Sequence, residues 1–384
     1  MVTRDAVEKV EHAINAIKSG KMVIMVDEED RENEGDLVFA AEYVTPELIN
    51  FMAKEARGLI CLTMAPEYVD RLKLPMMGDT TKTSPSQSTA FTVSIEARDG
   101  VTTGISAADR SHTIKVAIAE GATPDDIVVP GHIFPLKARA GGVLDRAGHT
   151  EGSVDLAKLA GLKGAGVICE IMNDDGTMAR MPDLEVFAEK HDIPIIAISD
   201  MIQYRLLQEP IVKAVKESKV KTAYGEFTSV LFENIVSKER HLALTKGGPF
   251  HADQIVDVRV HNHRPFIDVF ACPESKAGFR LDYGLNLLKN SQNAAFIYLV
   301  NEGQSAFFES DLDLLNPDFN QPEKKEKPLP GVDDKMLGTG AQILRSLGIS
   351  KMRIHSTFDR NLVGLSGYGL EVVEVQTLSS QQGV

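Results

Sequence analysis

Cysteine, basic charge and long apolar runs are all scarce in this chain, and each scarcity excludes something. Only three cysteines occur, Cys61, Cys169 and Cys272, odd in number and far apart. They make neither a disulfide framework nor a CxxC metal knuckle, and the chain reads as cytoplasmic. The 41 Lys and Arg against 55 Asp and Glu leave a net charge of −14. Nucleic acid is therefore not an expected partner, because a groove for its backbone needs clustered Lys and Arg. A phosphorylated metabolite stays open, since it needs only a local positive site. No apolar run approaches the ~20 residues of a membrane span, so no membrane partner is expected. MVTRDAVEKVEHAI reads as the start of a charged amphipathic helix rather than a signal peptide.

What is present is length enough, at 384 residues, for two domains with sizeable cores. The densest feature is Asp27–Asp36, DEEDRENEGD, directly after the apolar run Met22–Val26. Seven acids at the end of a buried strand repel one another unless something positive binds there. A hard divalent cation takes carboxylate oxygens; a solvated acidic turn is the alternative. Arg31 inside the run and the turn expected at Gly35 favour a built site.

Residues 5–18 place Val7, Val10, Ile14 and Ile17 at helical spacing, stopped by Gly20. Thr45-Pro46 opens a helix as N-cap and first position. Strands are predicted at 22–26, 37–41, 59–63, 91–95, 167–172 and 194–199. TTGISAADRSHTIKVAIAE is a turn running into a helix, and Asn173–Gly176 is a turn. Residues 75–90, rich in Ser, Thr, Met and Gly, read as a loop able to act as a lid. This alternation predicts one α/β domain over 1–205, then a linker at 206–223. A second domain over 224–378 carries strand-like runs at 227–232, 255–260, 266–270 and 295–300, a loop at Gln321–Pro330 and a helix at 340–347.

Three further stretches carry reactive groups. His132 follows Pro-Gly in VPGHIFPL, where a lone histidine is ordinarily a turn residue. In Asp145–Thr150, DRAGHT, Arg146 and Thr150 beside a helix N-terminus form a candidate phosphate cradle, and His149 a candidate metal ligand. Glu170 shares a strand face with Ile168 and Met172. It is either an edge-strand surface acid or, if buried, an acid–base group with a raised pKa.

Taken together, DEEDRENEGD, TTGISAADR, VPGHIFPL, RAGHTEGSVDLAKLAGL and ICEIMNDDG, in this order, resemble the 3,4-dihydroxy-2-butanone 4-phosphate synthases of riboflavin biosynthesis over residues 5 to about 205. The resemblance implies conversion of D-ribulose 5-phosphate to L-3,4-dihydroxy-2-butanone 4-phosphate and formate. It implies Mg²⁺ (or Mn²⁺) as cofactor and a homodimer with active sites near the subunit interface. Residue by residue, it makes Glu32 and His149 the metal ligands and His132 and Glu170 the residues of the chemistry. Arg31, Glu32, Asp36, Glu170 and the loop Arg146, Ala147, Gly148, His149 and Thr150 would contact the sugar phosphate. Cys61 falls near the family's site, with a small core residue as the alternative.

Residues 224–375 resemble GTP cyclohydrolase II through YGEFTSVLFEN, HLALTKG, VRVHNHRPFIDVFA, IYLVNEG, GTGAQILRSLGISKMRI and GYGLEVVE. That family holds a catalytic zinc through three cysteines. Here Arg264 stands at the first position, Pro273–Asp282 holds no cysteine, and Cys272 alone cannot replace three thiolates. An acid and an arginine before the GxGAQ stretch appear as Asp333 and Lys335, and lysine lacks the guanidinium fork. Gln304–Phe308 and Ser356–Asp359 depart as well. The expectation is an α/β synthase domain followed by a degenerate α+β cyclohydrolase-like domain without zinc. Its rivals are a bifunctional enzyme that also opens GTP, or a C-terminal regulatory or binding module. His251, His261 and His263 are read as surface histidines rather than a replacement metal site.

Overall fold

The computed structural model describes residues 4–28, 31–77, 89–264, 268, 279–300, 334–356, 365 and 368–377. The chain divides into two units, Arg4–Arg205 and Leu206–Val384 with the first three residues.

The first unit begins with α1 (Arg4–Lys18), whose Ala6, Val10, Ala13 and Ile17 recur at helical spacing and are buried. Strands β1 (Val23–Val26) and β2 (Gly35–Ala40) form an antiparallel hairpin that carries the acidic run at its turn. The turn residue in the left-handed region is Asn33, at φ 54°, not Gly35. Gly35 lies in β2, where a Cβ would collide with the side chain of Leu184. Helix α2 (Pro46–Phe51) starts as expected, with Thr45 Oγ1 accepting from the Leu48 amide at 3.3 Å. Next come β3 (Cys61–Met64), α3 (Pro66–Arg71), β4 (Ile95–Ala97) and α4 (Ala107–Ala117). They are followed by β5 (Ile127–Lys137), α5 (His149–Leu159), β6 (Ala165–Glu170), α6 (Met181–His191), β7 (Ile195–Ala197) and α7 (Ile198–Gln208).

The sheet order is β4-β5-β3-β6-β2-β1-β7. β6 is therefore a central strand, antiparallel to β2 and β3, and Glu170 is not an edge residue. One face carries Leu37, Phe39, Leu62, Met64, Val167 and Cys169 into a core with Ile49, Ile114 and Leu184. Residues one step along each strand point the other way. They bring Asp36, Cys61, Ile168 and Glu170 to the face on which α5 packs. Close approach of α5 is fixed by Ser153, whose Oγ lies 2.7 Å from Thr63 Oγ1.

The second unit is built on β8 (Val212–Thr222), β9 (Gly225–Asn234), β10 (Arg240–Lys246), β11 (Ile255–Asn262), α8 (Phe279–Asn290), β12 (Ala294–Leu299), α9 (Asp334–Ser346), β13 (Lys351–Ser356) and β14 (Glu371–Thr377). Its sheet runs β14-β13-β11-β12-β10-β9-β8, with parallel pairing from β14 to β12 and antiparallel pairing beyond. The linker expected at 206–223 carries β8 instead. VKAVKESKVKT is exposed on most positions and gives no apolar alternation, so its strand depends on hairpin pairing with β9. Gln342 of the GTGAQ stretch holds the main chain that leads into β8. Its amide donates to the Leu206 and Glu209 carbonyls, and its oxygen accepts from the Ile211 amide. The expected strand at 266–270, apart from Asp268, and the loop 321–330 lie outside the described residues.

Candidate active site

The β1–β2 turn is organised by one carboxylate. Asp27 Oδ2 accepts from Arg31 Nη1 at 2.7 Å and from the Glu32 amide at 3.1 Å, while Oδ1 accepts from the Glu34 amide at 2.8 Å. Burial pushes the Asp27 carboxyl up. The Glu34 amide, His149, Arg31 and the Glu32 amide outweigh that and hold it below its ordinary value. Arg31 also reaches Glu32 Oε2 at 2.6 Å. Glu29 and Asp30 lie outside the described residues.

His149 is the first residue of α5, after Gly148 as N-cap, and is buried. Its Nδ1 lies 3.9 Å from Glu32 Oε2, and its Nε2 lies 4.0 Å from Asp36 Oδ1. Among the described residues, neither His149 Nε2 nor Asp36 Oδ1 has a hydrogen-bond partner, although both atoms are buried. Burial keeps the imidazole neutral to lower pH than usual, against the pull of Asp27. Burial, with Glu170, Glu34, Glu32 and Asp27, drives the Asp36 carboxyl well above its ordinary value. One donor atom from each of Asp27, Glu32 and His149 lies within 4.8 Å of the others.

Glu32, Asp36 and His149 line a cavity of ≈ 130 Å³, together with Arg31, Glu34, Cys61, Thr89, Phe91, Arg146, Thr150 and Glu170. Four carboxyl side chains against two guanidiniums leave the lining acidic. Two orphaned buried acceptors among oxygen donors and one neutral imidazole fit a divalent cation. Asp27, whose oxygens are taken by the turn, is better placed to hold the loop than to ligate. Glu170 Oε2 accepts from the Leu59 amide at 2.7 Å, which fixes its carboxylate at the cavity wall.

Arg146 is buried, with Nη1 on Glu151 Oε2 at 2.7 Å and Nη2 on Thr89 Oγ1 at 3.1 Å. The two prongs expected to grip an anion are thus directed to protein groups. Glu151 was not among the residues singled out from the sequence, although an acid in the first helical turn is a usable signal. Ala147 and Gly148 are not part of the cavity lining. Burial raises the Cys61 thiol far above its ordinary value, so it stays protonated in the wall.

His132 is not in this cavity. Leu136, which lines it, lies four residues further along β5, about 13 Å at ~3.3 Å per residue. The ring is paired with Glu96, Nδ1 to Oε2 at 2.7 Å. Ile105, Val128 and Val129, close to it in sequence or in the adjoining loop, are exposed apolar side chains. The loop expected to act as a lid lies outside the described residues from 78 to 88.

In the second unit His261 is buried rather than superficial, which corrects the sequence reading; His263 is half-buried and His251 exposed. His261 Nε2 lies 2.9 Å from Asp268 Oδ1, and Tyr298 Oη donates to Asp268 Oδ2 at 2.8 Å. The Arg264 amide also donates to Asp268 Oδ2, at 2.9 Å, and His263 Nδ1 meets the Tyr298 hydroxyl. His261 and Tyr298 are register partners on the parallel pair β11–β12, so this network ties two strand ends together. Cys272, Asp333, Gln304–Phe308, the side chain of Lys335 and residues 357–359 lie outside the described residues.

A mixed sheet with helices on both faces and an acid-lined pocket at a helix N-terminus defines the first unit as an α/β enzyme domain. Residues 11–204 match the family model of 3,4-dihydroxy-2-butanone 4-phosphate synthase, and residues 213–377 match that of GTP cyclohydrolase II. The chain belongs to the 3,4-dihydroxy-2-butanone 4-phosphate synthase family of riboflavin biosynthesis and carries a GTP cyclohydrolase II-like second domain. It is 48% identical over 371 residues to the riboflavin biosynthesis protein RibBA of Aquifex aeolicus, covering 95% of this chain and 91% of that one. It is 49% identical over 358 residues to a 3,4-dihydroxy-2-butanone 4-phosphate synthase of Neisseria meningitidis serogroup B, covering 93% and 94%. A similar solved structure is RibBX, a two-domain 3,4-dihydroxy-2-butanone 4-phosphate synthase from A. baumannii, at TM-score 0.74 and 41% identity over 96% of this chain and 99% of that one. Among the described residues no helix is long and apolar enough to cross a membrane.

Proposed function

We propose that the chain converts D-ribulose 5-phosphate to L-3,4-dihydroxy-2-butanone 4-phosphate and formate with Mg²⁺ or Mn²⁺, as a homodimer, and that its second domain does not open GTP. The observation that carries the first part is the acidic cavity with the orphaned acceptors of His149 and Asp36. Glu32 and His149 would hold the cation, which when bound supplies a Lewis acid for vicinal sugar oxygens. Arg31 and Asp36 orient the hydroxyls, and the Arg146–Thr150 corner with the amides at the start of α5 receives the phosphate. Glu170 stands ready at the cavity wall to move protons between adjacent carbons.

The remaining proton carrier, His132, is on a different stretch of the surface, among the exposed Ile105, Val128 and Val129. A second copy that covers this apolar patch would bring its own cavity to the ring, so each site combines the pocket of one protomer with His132 of its partner.

For the second domain, the support is chemical. One cysteine occurs in the whole of residues 206–384, and a three-thiolate zinc site cannot be built from it. The His261–Asp268–Tyr298 network occupies the strand ends with mutually satisfied groups, and Gln342 is committed to main-chain atoms. Formate release on ribulose 5-phosphate, lost with chelator and restored by Mg²⁺, tests the first part. GTP with Zn²⁺ tests the second, and formate from it would overturn that part.

A further inference from the structure

The acidic turn between β1 and β2 is held by two residues, one for its amides and one for its carbonyls. Asp27 takes the amides of Glu32 and Glu34. Arg180 takes the carbonyls: its Nη1 donates to the Glu32 carbonyl at 2.9 Å and to the Asn33 carbonyl beside it. A terminal guanidinium nitrogen carries two N–H groups, so one atom can reach both. Arg180 does not line the cavity. It ends the stretch DDGTMAR and stands as N-cap of α6.

Arg180 is itself fixed. Its amide donates to Asp183 Oδ2 at 3.0 Å, and its carbonyl accepts from the Leu184 amide at 2.9 Å. The Ala179 amide before it donates to the Ile171 carbonyl at 3.0 Å, which ties the stretch to the residue that follows β6. Leu184, one helical turn on, is buried against the start of β2, where a Cβ on Gly35 would lie 2.5 Å from its Cδ1. Residues four apart share a helix face. The first turn of α6 thus meets the acidic turn at two adjacent places, a guanidinium on its carbonyls and a leucine on the strand that leaves it.

Arg31 holds Glu32 by the side chain, at 2.6 Å, and that pair must part if Glu32 is to face a cation. The bonds from Asp27 and Arg180 are to main chain and need not change. Three consecutive peptide planes, from 31–32 to 33–34, therefore keep their direction whatever the Glu32 carboxylate does. The charge of Arg180 helps as well. Burial and Glu32 push the Glu34 carboxyl up, and Arg180 pulls it back. We infer that Arg180 is a positioning residue for the cation site: it fixes the main chain of the acidic turn so that the Glu32 side chain is presented to His149. This rests on the reading of Glu32 and His149 as the residues that hold the cation.

The test is Arg180→Met in the full-length chain, beside Arg180→Lys. Both are read by Mn²⁺ titration calorimetry, by amide exchange of the chelator-treated protein, and by kinetics with ribulose 5-phosphate. R180M keeps an apolar stem and loses both donors. It is expected to bind Mn²⁺ more weakly by on the order of 10–100-fold, the usual cost of losing an outer partner of a metal site. In chelator its Glu32 and Glu34 amides are expected to exchange faster, with those of β6 and α5 unchanged. R180K, a charge without the planar fork, is expected to recover part of the affinity. Raising Mn²⁺ is expected to restore much of the R180M rate, which a role in folding alone would not allow. Wild-type Mn²⁺ affinity in folded R180M overturns the role of Arg180 alone. A wild-type chain that binds no Mn²⁺ overturns the cation reading and the proposal with it. Should R180M fail to fold, an Arg180 guanidinium that rotates freely in ¹⁵N-arginine-labelled wild type still overturns the inference.

Discussion

Asp36 and Glu170 stand directly opposite each other in the register of β2 and β6, two carboxyl side chains on one face of a central antiparallel pair. Like charges in that position destabilise a sheet, and burial adds to the cost. This pair of carboxyl groups therefore works against the fold that builds the pocket. Asp36→Asn is expected to raise the thermal stability of the chelator-treated protein at neutral pH by roughly 0.2–1 kcal/mol, while formate release falls. Calorimetry in EDTA beside an activity assay reads both; a destabilised D36N would refute the repulsion argument.

Asp27 is expected to matter through the turn it holds rather than through ligation. Asp27→Ala removes the acceptor of two amides and one guanidinium, all part-buried or exposed, and hydrogen bonds to a charged group contribute about 1.5–3 kcal/mol. Both stability and cation affinity drop. His149→Ala, by contrast, is expected to weaken cation binding with a smaller effect on melting. Isothermal titration of Mg²⁺ or Mn²⁺ beside thermal unfolding separates the two cases.

The shared-site reading makes a prediction about mixtures. His132→Gln and Glu170→Gln are each expected to be inactive, and mixing the two with subunit exchange restores about a quarter of the sites of a symmetric dimer. Mixtures that stay inactive despite demonstrated exchange would mean that His132 serves the pocket of its own chain, or none.

Much of the first unit was legible because its elements are locally signalled: the α1 face, the Thr45-Pro46 helix start, the acidic turn after Met22–Val26. Arg31, Glu32, Asp36, Arg146, His149, Thr150 and Glu170 do surround one cavity, and their grouping came from motif resemblance, not from spacing. What stayed hidden is tertiary. Nothing local marks Glu96 as the partner of His132, because a 36-residue separation and a strand bulge join them. Glycine signals φ > 0, yet Gly35 makes room for Leu184 and Asn33 takes the turn. The side chains of β8 are lysine-rich and exposed, a linker-like pattern, and its order comes from the β9 hairpin. Nothing local marks His261 as buried, because its partner Asp268 is brought to it only by folding.

In the second unit, Asp257 Oδ1 receives Arg353 Nη1 at 3.0 Å and faces His355 Nε2 at 3.2 Å. Burial pushes this carboxyl up, and bonds from His355, Arg353 and Ser291 outweigh it, so its pKa lies below the ordinary value. A depressed acid stabilises the fold above the ordinary carboxylate pKa, and that stability is lost as pH falls through the folded value. Asp257→Asn is therefore expected to melt lower than wild type near neutrality, with the gap closing on acidification. A gap that widens toward low pH would contradict the assignment.

The most direct test is formate release by the purified full-length chain, with ribulose 5-phosphate plus Mg²⁺ and separately with GTP plus Zn²⁺. Formate is expected from the sugar phosphate alone, abolished by EDTA and restored by the metal. Formate from GTP would contradict an inactive second domain, and none from the sugar phosphate would contradict the function assigned to the acidic pocket.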